Sequence, residues 1–82
     1  MKTLRSSGHR ALLTTLIDAR RDAGLTQAQL AVRLKRSQSY VGKIEVGERG
    51  IDPVECATWA RACGITPRVF FNRFSDALER KV

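Results

Sequence analysis

Apolar positions along this chain recur at spacings of three and four residues, are interrupted several times by helix punctuation, and never alternate as a strand would. Leu13, Leu16, Ile17 and Arg20 follow the i, i+3, i+4, i+7 pattern, which predicts a first helix from Gly8 to Ala23 with Ser7 as N-cap and Gly24 as its stop. Thr26 and Gln29 have capping-box spacing and open a short second helix that buries Leu30, Ala31 and Leu34 and ends near Lys35. A third starts after Ser37, packs through Val41 and Ile44, and is stopped by Gly47. Asp52, Pro53 and Glu55 supply a cap, a first-turn proline and a capping-box acid for a fourth helix, whose stripe is Cys56, Trp59, Ala60 and Cys63. After Gly64 and Ile65, Thr66 and Pro67 open a fifth that runs toward Lys81, with Phe70 placed for a staple against Ile65.

Five short helices in 82 residues describe one small all-α domain with one core, preceded by a basic arm at residues 1–7. The fifth helix carries more apolar surface than such a core needs. Phe70 closes the core, and Phe71, Phe74 and Leu78, spaced i, i+3, i+7, remain as a stripe that a second copy of the chain would cover. The alternative is that the helix folds back and puts all its aromatics into the monomer core.

Charge narrows the class of partner. The net charge is +7, with five basic and two acidic residues in each of segments 1–25 and 26–50 but five and four in 51–82. A positive field on the first fifty residues of a folded domain points to a polyanion. No signal peptide or membrane span is visible, because the apolar run from Ala11 to Ile17 is broken by Thr14 and Thr15 and followed by Asp18 and Arg20. Cys56 and Cys63, seven residues apart on one helix, stand about 10 Å apart, too far for a disulfide. Two buried free thiols suit a reducing compartment, which places the expectation in the cytoplasm.

Two short helices joined by a tight turn in a basic domain have the form of a helix-turn-helix, whose second helix enters the DNA major groove. On a helical wheel started at Gln38, Val41 falls at about 300°, Ile44 at about 240° and Glu45 at about 340°, while Gln38, Gly42, Val46, Ser39 and Lys43 fill roughly 0° to 140°. One face packs and the other offers an amide, a hydroxyl and an ammonium, a set suited to base edges. An ordinary solvated helix face has the same pattern, so the angles alone leave both readings open.

From Leu16 to Phe71 the sequence resembles the phage-repressor type of helix-turn-helix, the XRE family. The residues carrying the likeness are Ala-Arg-Arg-Asp-Ala-Gly-Leu-Thr-Gln at 19–27, Leu30-Ala31, Leu34, Gln38-Ser39-Tyr40-Val41, Lys43-Ile44-Glu45, Gly47 and Ala60-Arg61-Ala62-Cys63-Gly64-Ile65. The resemblance implies a compact five-helix, lambda-repressor-like domain, usually dimeric. It implies that Gln27 touches a DNA phosphate, that Gln38, Ser39 and Lys43 read bases, and that Arg20 pairs with Glu45. Such a pairing would account for a charge in the first helix's apolar stripe and an acid on the inner flank of the third. The sequence departs from the family where many members have Gly between the second and third helices: here stand Lys35 and Arg36, so either a non-Gly residue turns left-handed or the turn differs. Gly42 replaces a small polar residue, through close approach of a ligand or plain tolerance.

Tyr40, at the edge of the third helix's packed face, and Arg36 and Arg49, on either side of that helix, are candidates for phosphate contacts, with Arg33 and Lys35 beside them and Arg5 and Arg10 as further cations near the N-terminus. His9 lacks partners at metal-ligand spacing and reads as an exposed first-turn residue; Asp18 and Asp22 share a face but have no nucleophile, Gly-rich loop or metal motif near them. The expectation is a non-enzymatic transcriptional regulator without metal or cofactor, bound to double-stranded DNA as a homodimer on a pseudo-palindromic operator. The alternative is an antitoxin or other protein-interaction module that uses Phe71, Phe74 and Leu78 to bind a partner such as a toxin.

Overall fold

The computed structural model describes residues 6–80. Five helices follow one another: α1 (Ser7–Asp22), α2 (Gln27–Leu34), α3 (Gln38–Glu45), α4 (Pro53–Ala62) and α5 (Pro67–Glu79), with no strand among the described residues. Each begins on an oxygen that satisfies an otherwise orphaned N–H. Thr26 and Gln29 exchange bonds of 3.1 and 2.9 Å, and Asp52 and Glu55 exchange bonds of 2.7 and 3.0 Å, so both predicted capping boxes are formed. The start of α1 differs from expectation. Ser6, not Ser7, accepts the N–H of His9 at 3.1 Å, which draws Ser7 into the helix and moves the end of the arm back by at least one residue. Residues 1–5, including Arg5, and residues 81–82, including Lys81, lie outside the described part.

The turn between α2 and α3 is made without glycine. Lys35 takes the left-handed conformation, φ 57° and ψ 42°, and the helix closes through Lys35 N–H to Val32 O (3.1 Å) and Arg36 N–H to Ala31 O (3.0 Å). A side chain there carries a steric penalty of about 1–2 kcal/mol. Lys35→Gly is therefore expected to raise the unfolding free energy by about 0.5–1 kcal/mol after the entropy of the unfolded chain is counted. Urea denaturation checks it, and a fall in stability would contradict the strain.

Trp59, Phe70, Leu16, Leu30, Ile44 and Val41 are the large side chains fully removed from solvent. Trp59 sits where α4 meets α1 and donates its indole N–H to the carbonyl of Leu16 at 3.1 Å, which satisfies the one polar atom that its burial would strand. Ala19, Ala31 and Ala60 are buried in the same core. Ala31 and Ala60 are buried as the periodicity predicts, Ala19 joins them although the first helix's stripe did not include it, and Leu13, Ile17 and Leu34 are only half-buried. Cys56 and Cys63 are buried and free, and burial pushes both thiols up to about 11, which keeps them protonated and unreactive.

α5 packs along α1 and against α4. Phe70 alone of its aromatics enters the core; Phe71 meets it edge-on at 5.2 Å but stays 37% exposed, Phe74 is half-buried, and Leu78 is 49% exposed. A Cβ placed on Gly8 would stand 3.7 Å from Leu78, so the start of α1 lies under the end of α5. His9 is half-buried rather than exposed, with Nε2 shut off from solvent and unbonded among the described residues. No helix of the described residues is long and apolar enough to cross a membrane.

Candidate nucleic-acid interface

Helices α2 and α3 meet across the Lys35 turn so that Val41 and Ile44 point inward and Gln38, Ser39 and Lys43 remain exposed. Behind that exposed face runs a chain of polar contacts that starts in the core. Arg20 of α1 donates Nε to Glu45 Oε2 at 2.7 Å and Nη2 to Oε1 at 3.0 Å, a two-pronged pair, and donates Nη1 to the carbonyl of Leu25 at 2.9 Å. Side-chain exposure is 11% for Arg20 and 4% for Glu45. The bond to Glu45 outweighs desolvation and pushes the guanidinium pKa above its already high ordinary value.

Glu45 then sets the orientation of an amide. An ionised carboxylate only accepts, so Gln27 at the first position of α2 turns its N–H toward Glu45 Oε1, 2.9 Å away. The Gln27 carbonyl is left facing α3, where Gln38 Nε2 donates to it at 2.8 Å. Gln38 thereby keeps its own carbonyl and one N–H for whatever approaches from solvent. Gly42 lies beneath this bond: a Cβ there would stand 3.4 Å from Gln27 Oε1 and 3.9 Å from Gln38 Nε2, within ordinary contact, so the two amides do not require the glycine.

A second cluster stands beside it. The guanidinium carbons of Arg36, in the turn before α3, and Arg49, in the loop after it, each lie 4.7 Å from the centre of the Tyr40 ring. The Tyr40 hydroxyl donates to Glu55 Oε2 at 3.2 Å, and Arg49 Nη2 donates to the same oxygen at 3.3 Å. Burial, and then the Glu55 carboxylate, push the Tyr40 hydroxyl above its ordinary pKa, so it keeps its proton. The backbone N–H of Asp52 holds the Glu55 carboxyl below the usual carboxylate range, with Arg49 and Tyr40 adding to it against burial.

The structure thus gathers Gln27, Gln38, Ser39 and Lys43 on one side of α3, and Arg36, Tyr40 and Arg49 at its flank. Arg33 is elsewhere engaged, donating to the carbonyl of Ala62 at 2.9 Å and tying α2 to α4. Phe71, Phe74 and Leu78 stand on α5, in a separate group. Two partners escaped the sequence reading. The Gln27 bond to Glu45 depends on the depth of the α1–α3 contact, and the sequence marks Glu55 only as half of a capping box. Asp18 and Asp22 line a cleft between α1 and α5 with Asp76, where Arg73 donates to Asp22 at 3.4 Å. No group of three residues among those described could hold a metal ion.

The model of the helix-turn-helix family matches residues 16–70. An XRE-family like protein from Pseudomonas syringae pv. tomato str. DC3000 is 39% identical over 84% of each chain and superposes with a TM-score of 0.78. The chain belongs to the XRE family of helix-turn-helix proteins. The match spans α2 and α3 with the helices that hold them, and so includes every member of the polar chain from Arg20 to Glu45. Two more distant structures share the fold. The restriction-modification controller protein C.Esp1396I is 18% identical over 95% of this XRE-family chain and all of its own, with a TM-score of 0.86. The clp gene regulator ClgR from Corynebacterium glutamicum is 21% identical over 92% of this chain and 80% of its own, with a TM-score of 0.76. A search of curated proteins gave no significant match.

Proposed function

We propose that this XRE-family protein is a sequence-specific DNA-binding transcriptional regulator that acts as a homodimer on a pseudo-palindromic operator, α5 serving as its dimerisation helix. The observation that carries the reading is the polar chain from Arg20 to Gln38: it fixes an amide on the exposed first turn of α3, where a bidentate contact to a base edge needs one donor and one acceptor in place. Gln38, Ser39 and Lys43 read bases, while Gln27, Tyr40, Arg36 and Arg49 hold phosphates. The net charge of +7 supports it, and C.Esp1396I has been solved as a nucleoprotein complex. Nothing in the reading requires a cofactor or catalysis, and the action of such a protein depends on its own concentration and on operator position.

Lys43→Ala is expected to relax base preference, at a cost of roughly 1–3 kcal/mol on the preferred site if the ammonium meets a guanine, whereas Arg36→Ala, at a side chain that packs on Tyr40 and on none of the base readers, weakens all duplexes to a similar degree. Competition binding against site variants checks both. Equal losses in affinity with unchanged preference would remove the division between reader and anchor.

A second reading is favoured by the exposed Phe71 and Leu78 on α5, which with half-buried Phe74 form a stripe that receives a partner protein such as a toxin in place of a second copy. Light scattering on the purified chain separates them: a dimer supports the first and a stable monomer the second.

A further inference from the structure

Three donors converge on the carboxylate of Glu55. The N–H of Asp52 reaches Oε1 at 3.0 Å, and the Tyr40 hydroxyl and Arg49 Nη2 reach Oε2 at 3.2 and 3.3 Å. The backbone N–H of Glu55 is itself held by Asp52 Oδ1 at 2.7 Å, so this acid is tied to the first turn of α4. A tyrosine hydroxyl has one proton. While that proton goes to Glu55, none is left for a phosphate oxygen. The same carboxylate offsets the charge of Arg49, whose Nη1 is spent on the carbonyl of Gly50 at 2.8 Å. By contrast Arg36, over the same ring, has no carboxylate within ion-pair distance among the described residues.

We propose that Glu55 is a resident counter-ion that competes with DNA phosphate for Tyr40 and Arg49 and so limits the affinity of this face for any duplex. The inference rests on the DNA-binding reading above. A phosphate oxygen that takes up the Tyr40 proton and the Arg49 guanidinium replaces one anionic acceptor by another, and leaves a charged Glu55 beside it with the Asp52 N–H alone. The exchange cancels much of the gain from both contacts. Attraction to DNA irrespective of sequence comes from cations on phosphates, so a fixed acid among those cations holds that attraction down and leaves a larger share of recognition to Gln38, Ser39 and Lys43.

Two substitutions in the full chain test this. Glu55→Gln keeps an oxygen for the Asp52 N–H and turns an amide N–H toward the Tyr40 oxygen, which frees the hydroxyl proton. Glu55→Asp keeps the charge but shortens the arm, withdrawing the carboxylate from Tyr40 and Arg49. Each is titrated into a labelled random-sequence duplex at several salt concentrations between about 50 and 200 mM. Glu55→Gln is expected to bind about three- to tenfold tighter than wild type, with a salt slope steeper by about 0.9, the signature of one more neutralised phosphate. Glu55→Asp should also tighten binding, which a change in net charge would not produce. Glu48→Gln, an exposed acid of the loop that carries Arg49, gives the general effect of one charge fewer, and in a background that carries both Tyr40→Phe and Arg49→Met, Glu55→Gln should do no more than that.

If a wild type that binds duplex is matched by both Glu55 variants, or exceeds them, or if Glu55→Gln gains only what Glu48→Gln gains, the role of Glu55 is overturned and the DNA-binding reading stands. If the wild type binds no duplex, the DNA-binding reading falls, and this inference with it.

Discussion

Arg20→Met is expected to lower the free energy of unfolding by about 3–5 kcal/mol. The cost comes less from losing an attraction than from what remains: a Glu45 carboxylate with 4% side-chain exposure, supported only by the Gln27 amide. For a domain of this length total stability is on the order of 4–12 kcal/mol, so the single substitution brings the protein close to its threshold. Removing both charges is a different experiment. Arg20→Met combined with Glu45→Leu leaves no stranded ion and is expected to recover most of the loss, as replacement of a buried pair by apolar side chains commonly does. Urea denaturation of the four proteins forms a double-mutant cycle, and a coupling indistinguishable from zero would show that the two groups do not act on each other. Gln27 should respond as well, because without Glu45 nothing fixes which end of its amide faces Gln38.

Phe71→Glu is expected to give a folded monomer whose operator affinity falls by about a hundredfold or more. Phe71 is a suitable site because its 37% exposure spares the core, whereas Phe70 beside it is fully buried. A charge at Phe71 therefore costs the monomer little and the proposed two-fold contact much. A homodimer places two copies of α3 on successive major grooves about 34 Å apart, and when the copies separate, the second binding event is no longer intramolecular. Light scattering and operator titration on the same preparation check this, with Phe74→Glu as a companion that should also cost stability, since Phe74 is half-buried. A variant that remains dimeric would move the interface away from α5, and a wild type that is already monomeric would remove the homodimer.

The helices were legible because their ends are local chemistry. Thr26 with Gln29, and Asp52 with Glu55, announce a helix start within four residues, and Gly47 and Gly64 supply the left-handed stops, at φ 81° and 83°. Ser6 against Ser7 was not decidable in this way, since both are good caps and adjacent in the chain. The candidate interface was legible in identity and much less in connection. Gln38, Ser39 and Lys43 could be placed on an open face from periodicity, but the pairing of Arg20 with Glu45 came through family likeness, and neither the Gln27 bond to Glu45 nor the Tyr40 bond to Glu55 has a sequence signature. Such contacts depend on helix crossing and on which end of a side-chain amide or carboxylate is already taken. His9 shows the same limit, because its place in the first turn of α1 reads as exposed and only the tertiary packing makes it half-buried.

Selection of bound sequences from random duplex DNA, repeated at several salt concentrations, tests the central claim most directly. The account predicts enrichment of one pseudo-palindromic site, with half-site centres about one helical turn apart, and a logarithm of affinity that falls steeply as salt rises. A pool that stays random after selection, or an affinity indifferent to salt, would contradict it.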